Sequence, residues 1–101
     1  MKILITGGKS AAAFKLLKDF NQYEVVLADY GEVPAMVSKN YKLISLGTKN
    51  EEVLVHTLLK HCLNEGVDAI LPTELFEIEA LLKAKILFDE FNIEILLPNN
   101  L

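Results

Sequence analysis

Apolar positions along this chain alternate between two rhythms. Ile3 to Thr6 and Val25 to Ala28 are short apolar runs, the pattern of parallel strands covered on both faces. Both belong near the centre of a sheet. Between them, Ala13, Phe14, Leu16, Leu17 and Phe20 share one side of a helix that starts at a Ser10 cap and ends at Asp19 or Phe20, with Lys15 and Lys18 on the other side. Tyr30 to Asn40 carries Gly31 and Pro34 and reads as a loop with one helical turn, followed by a short strand at Lys42 to Leu46 near a sheet edge. Asn50 caps a second helix to Asn64, striped by Leu54, Val55, Leu58, Leu59 and Cys62 and stopped by Gly66. Asp68 to Leu71 is a fourth strand ended by Pro72. A third helix runs from Glu74 or Leu75 to Phe91, and Ile93 to Leu97 is a fifth strand before Pro98.

The order βαβ(loop)βαβαβ predicts one α/β domain over residues 1–101: a Rossmann-like three-layer sandwich with a parallel sheet of about five strands, order 3-2-1-4-5. In such a sheet, ligands sit beyond the carboxyl ends of the strands, where the strand order reverses. The crevice candidates are therefore Gly7, Gly8, Lys9 and Ser10 after the first strand, Asp29 (followed by Tyr30) after the second, and Thr73, Glu74 and Glu77 after the fourth.

Each candidate has a functional and a plain structural meaning. Gly8-Lys9-Ser10 resembles the end of a Walker A loop, but the position five residues before Gly8 is Ile3, inside the strand, where that loop needs glycine. Counted from Gly7 as a dinucleotide fingerprint, the second and third glycine positions fall on Lys9 and Ala12. Alanine is tolerated where helix and strand pack closely, but a lysine side chain intrudes where backbone must approach a pyrophosphate. Otherwise the glycines make a tight turn from strand to helix. Asp29 either receives a ribose 2′-hydroxyl or satisfies backbone donors at the strand end. Glu77 projects into the sheet-facing sector of the third helix with Phe76, Ala80, Leu81, Ala84 and Leu87, so a carboxylate there needs a partner, either a capped helix terminus or a ligand.

The third helix has apolar residues on two sides. Phe76, Ala80, Ala84, Leu87, Phe88 and Phe91 suffice to cover the sheet. Leu75, Ile78, Leu82 and Ile86 line a second stripe, fenced by Glu79, Lys83 and Glu90 on one flank and by Glu74, Lys85 and Asp89 on the other. That stripe predicts an interface, with a second copy of the chain or with further domains, unless the last strand's connection or the tail at 99–101 covers it.

Composition narrows the function. A hydrophobic share of 51% with 24% charged residues specifies a folded domain rather than a disordered one. The formal charge of −4, with lysines scattered among carboxylates, argues against a nucleic-acid partner. The lone Cys62 cannot form an internal disulfide and suits a core position in a reducing compartment. No apolar run approaches the roughly 18 residues of a membrane span, so the expectation is a cytoplasmic protein with no membrane partner. His56 and His61, five apart, do not share a helix face, and no metal site is predicted.

Ile3-Leu4-Ile5-Thr6-Gly7-Gly8, Val25-Val26-Leu27-Ala28-Asp29, Val67-Asp68-Ala69-Ile70-Leu71-Pro72-Thr73 with Glu77 beyond, and Asn92-Ile93 to Pro98 together resemble the N-terminal (preATP-grasp) domain of ATP-grasp ligases, nearest the carbamoyl-phosphate synthase large subunit. The Asp-x-x-x-Pro-Thr stretch discriminates most. Where such families carry an acidic pair after Pro-Thr, this chain has Leu75 and Phe76 near Glu77. The resemblance implies that ATP and magnesium are gripped by two further domains that follow this one, absent from the present chain. This domain would wall the substrate site and orient an acceptor carboxylate or amine, holding no cofactor and no catalytic residue of its own. The isolated chain would be inactive. Two alternatives stand beside it: a degenerate NAD(P)- or nucleotide-sugar-binding half-domain, and a small interaction module.

Overall fold

Strand and helix alternate as the apolar rhythm predicts. The computed structural model describes residues 1–34, 36–38 and 41–97, and contains β1 (Lys2–Thr6), α1 (Ala11–Asp19), β2 (Glu24–Asp29), β3 (Met36–Val37), β4 (Tyr41–Ser45), α2 (Leu54–Glu65), β5 (Ala69–Leu71), α3 (Leu75–Lys83), α4 (Lys85–Glu90) and β6 (Glu94–Ile95). Pro98 and the tail to Leu101 lie outside the described residues, as do Ala35, Lys39 and Asn40.

The sheet runs β3-β4-β2-β1-β5-β6. Five of its strands are parallel, with Ile3 beside Val25 and Ala69, Leu27 beside Leu43, and Ile70 beside Ile95. Taken alone they follow the predicted order 3-2-1-4-5, with β1 and β2 inside.

Because strand side chains alternate between faces, the unbroken apolar runs feed two cores at once. Ile3, Ile5, Val25, Leu27, Leu43, Ala69 and Leu71 point to one face, where Ala13, Leu16, Leu17 and Phe20 of α1 close over them. Leu4, Val26, Ala28 and Ile70 point to the other, beneath Leu54, Leu58, Leu59 and Cys62 of α2, Leu81 of α3 and Phe88 of α4. Each fully buried Leu, Ile or Phe among these contributes about 1.5–3 kcal/mol relative to exposure. The result is a three-layer sandwich whose helices hold the strand ends in fixed register.

Five expectations are corrected. Within 30–40 the described residues contain no helical turn; Met36–Val37 instead pair antiparallel with Leu43 and Lys42 and add a sixth strand at the edge. The third helix is two helices, because the Ala84 N–H turns to the Leu81 carbonyl three residues back (3.0 Å), tightening the backbone (φ −104°, ψ 16°) with no glycine or proline to announce it. Phe91 does not cover the sheet and stays 47% exposed. It caps α4 while Asn92 adopts φ 59° and Ile93 donates back to the Phe88 carbonyl (3.0 Å), a Schellman closure that buries Ile93 instead. The last strand is only Glu94–Ile95, and the second helix opens with a single tight turn at Glu51–Val53 before α2, with Asn50 accepting the Glu52 N–H (3.0 Å).

Candidate functional site

The predicted crevice residues sit at the carboxyl ends of β1, β2 and β5, and fall into two groups. The first joins the turn after β1 to the end of β2. Gly8 donates to the Ala28 carbonyl (2.9 Å), continuing the β1–β2 ladder past the strand, and a Cβ there would lie 2.9 Å from Leu27 Cβ and 3.0 Å from the Ala28 nitrogen. Gly7 adopts φ 69°, and a Cβ on it would lie 2.3 Å from Thr73 Oγ1. Both glycines are thus demanded by packing inside the fold. Ser10 donates to the Gly7 carbonyl (2.7 Å) and accepts the Ala13 N–H (3.3 Å), fixing where α1 begins.

Lys9 is exposed but engaged. Its N–H donates to Asp29 Oδ2 (3.0 Å), while its ammonium reaches the carbonyls of Tyr30 (2.9 Å) and Glu32 (3.4 Å). Asp29 Oδ1 accepts the Tyr30 N–H (2.8 Å), so each carboxylate oxygen holds one backbone donor. Lys9 therefore straps the β1 turn to the loop after β2, across the place where a dinucleotide loop presents bare backbone.

The second group centres on Glu77, fully buried in the first turn of α3. Its Oε1 accepts the Thr6 hydroxyl (2.6 Å) and the Glu74 N–H (3.2 Å), and its Oε2 accepts the Tyr30 hydroxyl (2.5 Å). Thr6 Oγ1 in turn accepts the Thr73 N–H (2.8 Å), and the Thr73 hydroxyl donates to the Thr6 carbonyl (3.1 Å). With its own proton committed to Glu77, Thr6 has an ordered role: it receives from β5's end and gives to α3. The network spans four segments and, among the described residues, leaves no buried side-chain polar atom unpaired. Burial, then the hydrogen bond and charge of Glu77, hold the Tyr30 phenol well above its ordinary range, so it remains a donor at neutral pH. Phe76 packs on Tyr30 with ring centroids 6.1 Å apart, and the Lys49 ammonium stands 4.0 Å over the Phe76 ring, roofing the network from the loop after β4.

All eight crevice candidates thus meet at one end of the sheet, but in unequal roles. Glu74 is exposed and contributes its backbone, whereas Glu77 is the centre. Thr6 and Tyr30 are members of the network that the sequence placed without a role. The signal for Thr6 was a lone hydroxyl at the end of an apolar strand; for Tyr30, a phenol directly after the strand-end aspartate. Elsewhere Cys62 is buried and its thiol is pushed up to about 12 by that burial. Among the described residues no group of His, Cys, Asp and Glu could hold a metal ion, and no helix is long and apolar enough to cross a membrane. Leu75, Leu82 and Ile86 are exposed by 69%, 48% and 76%, with Ile78 half-buried.

No protein-family model and no curated protein matches the chain. Among solved structures it is similar to dTDP-glucose 4,6-dehydratase from Bacillus anthracis, determined in complex with NAD, with a TM-score of 0.58 and 17% sequence identity over 96% of this chain. The fold is Rossmann-like. The chain spans 36% of the dehydratase's length, and at this identity the likeness concerns the arrangement of strands and helices alone. Within that arrangement, the strand ends here offer hydroxyls, one buried carboxylate and strapped backbone. Their donors and acceptors are engaged with one another.

Proposed function

We propose that this Rossmann-like domain is the substrate-side domain of an ATP-dependent carboxylate ligase of the carbamoyl-phosphate synthase-like kind, not catalytic by itself. One observation carries the reading. The crevice is consolidated by Glu77, Thr6, Thr73 and Tyr30, with Lys9 strapped over Asp29, so it presents a firm polar wall and no open phosphate cradle. Such a wall can orient an acceptor carboxylate through the exposed Lys9 ammonium, which keeps one N–H beyond its two carbonyl partners, or an amine through the Ser10 hydroxyl oxygen, while nucleotide chemistry happens elsewhere. ATP and magnesium do not fit the described residues: the glycine turn lacks the Walker spacing, and no carboxylate set could serve as metal ligands. They would belong to further domains of the ligase. A cytoplasmic setting accords with the free, buried Cys62.

A second reading, a degenerate NAD(P)- or nucleotide-sugar-binding half-domain, is favoured by the likeness to the NAD-bound dehydratase and by Asp29 at the end of β2. Lys9 opposes it, since its side chain and N–H occupy the approach that the pyrophosphate needs. Nuclear magnetic resonance titration of the labelled chain separates the two. The ligase reading expects weak shifts at Lys9, Ser10 and Thr73 with amino or carboxylic acids, and none with Mg-ATP or NADH. Saturable NADH binding at tens of micromolar, removed by Asp29→Ala, would establish the second reading instead.

A further inference from the structure

The exposed stripe on α3 and α4 carries a charge pattern that fits itself. At about 100° per residue, Leu75, Ile78 and Leu82 fall within one narrow sector of α3, with Glu79 and Lys83 on one side of it and Glu74 on the other, and Lys85 and Ile86 follow across the break at Ala84. In an antiparallel pair of helices related by a two-fold axis, each flank of one copy meets the same flank of the other, reversed in direction. Residues then pair so that one falls as far before the axis as its partner falls after it. Placing the axis at the level of Ala80 and Leu81 sets Ile78 against Leu82, Leu75 against Ile86, Glu79 against Lys83 and Glu74 against Lys85, each pairing made twice. One placement satisfies the apolar pair and the charge pair that lie within α3, and the sequence offsets of Leu75, Ile86, Glu74 and Lys85 match it across the break at Ala84.

The monomer leaves most of these groups open to solvent, with Ile78 half-buried. Leu75 is 69% and Leu82 48% exposed, and Ile86, across the break at Ala84, is 76% exposed. Among the described residues, Glu79 and Lys83 make no ion pair; Lys85 holds only Asp89 (2.8 Å) in an exposed pair that exchanges readily. The two inner pairings lie wholly within α3, where the helix is unbroken. From this complementarity we infer that the chain self-associates as a two-fold dimer through α3, with Ile78 on Leu82 and Glu79 on Lys83 of the second copy. A strip this narrow buries an area at the low end for protein interfaces, in the range of weak and transient complexes.

Charge exchange tests it in a way that intrahelical effects cannot imitate. Glu79→Lys sets lysines against Lys83 of the second copy, and Lys83→Glu sets glutamates against Glu79; each alone should weaken sedimentation-measured self-association at least tenfold. Mixed in equal amounts, the two variants have opposite charges at both contacts and should associate as a heterodimer at least as well as the wild type, although each still carries like charges at its own positions 79 and 83. Circular dichroism confirms that both fold, as surface changes should. A wild-type chain that stays monomeric at high micromolar concentration would overturn the proposal, as it would if another domain were the true occupant. So would a mixture that associates no better than its components, which would place any dimer on another face.

Discussion

Replacing Glu77 by leucine probes whether the buried carboxylate holds the strand ends together. The substitution removes the acceptor for the Thr6 hydroxyl, the Tyr30 hydroxyl and the Glu74 N–H at once. Thr6 is fully buried and would exchange its short bond to the carboxylate for the longer contact with Thr73 Oγ1 (3.3 Å), a loss of about 1–3 kcal/mol; Tyr30 and the Glu74 N–H lie nearer solvent and lose less, because water can replace the carboxylate. The leucine recovers roughly 1 kcal/mol by burying apolar surface in a tight site. The expected net destabilisation is about 2–4 kcal/mol, which for a domain of this size lowers the melting temperature by roughly 10–20 °C. Glu77→Gln, which keeps an acceptor and the volume, should lose only about 1 kcal/mol, as should Tyr30→Phe. Urea unfolding followed by circular dichroism at one low chain concentration reads all three, and a Glu77→Gln/Tyr30→Phe cycle isolates the coupling between them. A Glu77→Leu variant as stable as the wild type, or more so, would refute the reasoning: the carboxylate would then be a group the fold tolerates at a cost, as binding groups often are.

Gly8→Ala should destabilise by about 1–3 kcal/mol despite the small change, because the added methyl meets Leu27 and the Ala28 backbone at 2.9–3.0 Å; thermal unfolding would show it, and an unchanged melting temperature would mean that β2 can retreat. Phe88→Ala should lose about 3–5 kcal/mol, since Phe88 is fully buried between sheet and α3, and chemical denaturation at neutral pH checks this. Stability should fall at alkaline pH. Tyr30 and Cys62 both hold their protons more tightly folded than unfolded, so their contribution is whole below the unfolded values, 9.0 for the thiol and 10.0 for the phenol, and is lost as pH rises through the folded ones, about 12 for Cys62 and higher for Tyr30. Above pH 9 the Cys62 share should decline by up to about 1.4 kcal/mol per pH unit, and Cys62→Ala should flatten that part of the profile.

How far the chain could be understood without its structure follows from the range of the interactions involved. Runs such as Ile3 to Thr6 and Val25 to Ala28 have one cheap solution, a strand buried on both faces, and the helical stripes between them dictate crossovers, so the five parallel strands and their order were readable from local apolar rhythm. Ser10 as a cap and Gly66 as a stop are decided within one turn of chain and were equally readable. The crevice location came with the topology, which brings the ends of β1, β2 and β5 together whatever residues they carry. What the sequence could not reveal is what those residues do on meeting. Glu77 as hub of Thr6, Thr73 and Tyr30 depends on partners up to 71 residues away, and Lys9 as a strap depends on the Tyr30 carbonyl that β2 delivers. The same limit applies to the break at Ala84 and the turn at Asn92, where helix-forming residues yield to the packing of Phe88 and Ile93. Local patterning determined which faces are apolar and where chains turn; only tertiary contact decided which polar groups find each other, because a hydrogen bond is specified by the geometry of both partners and periodicity carries information about one.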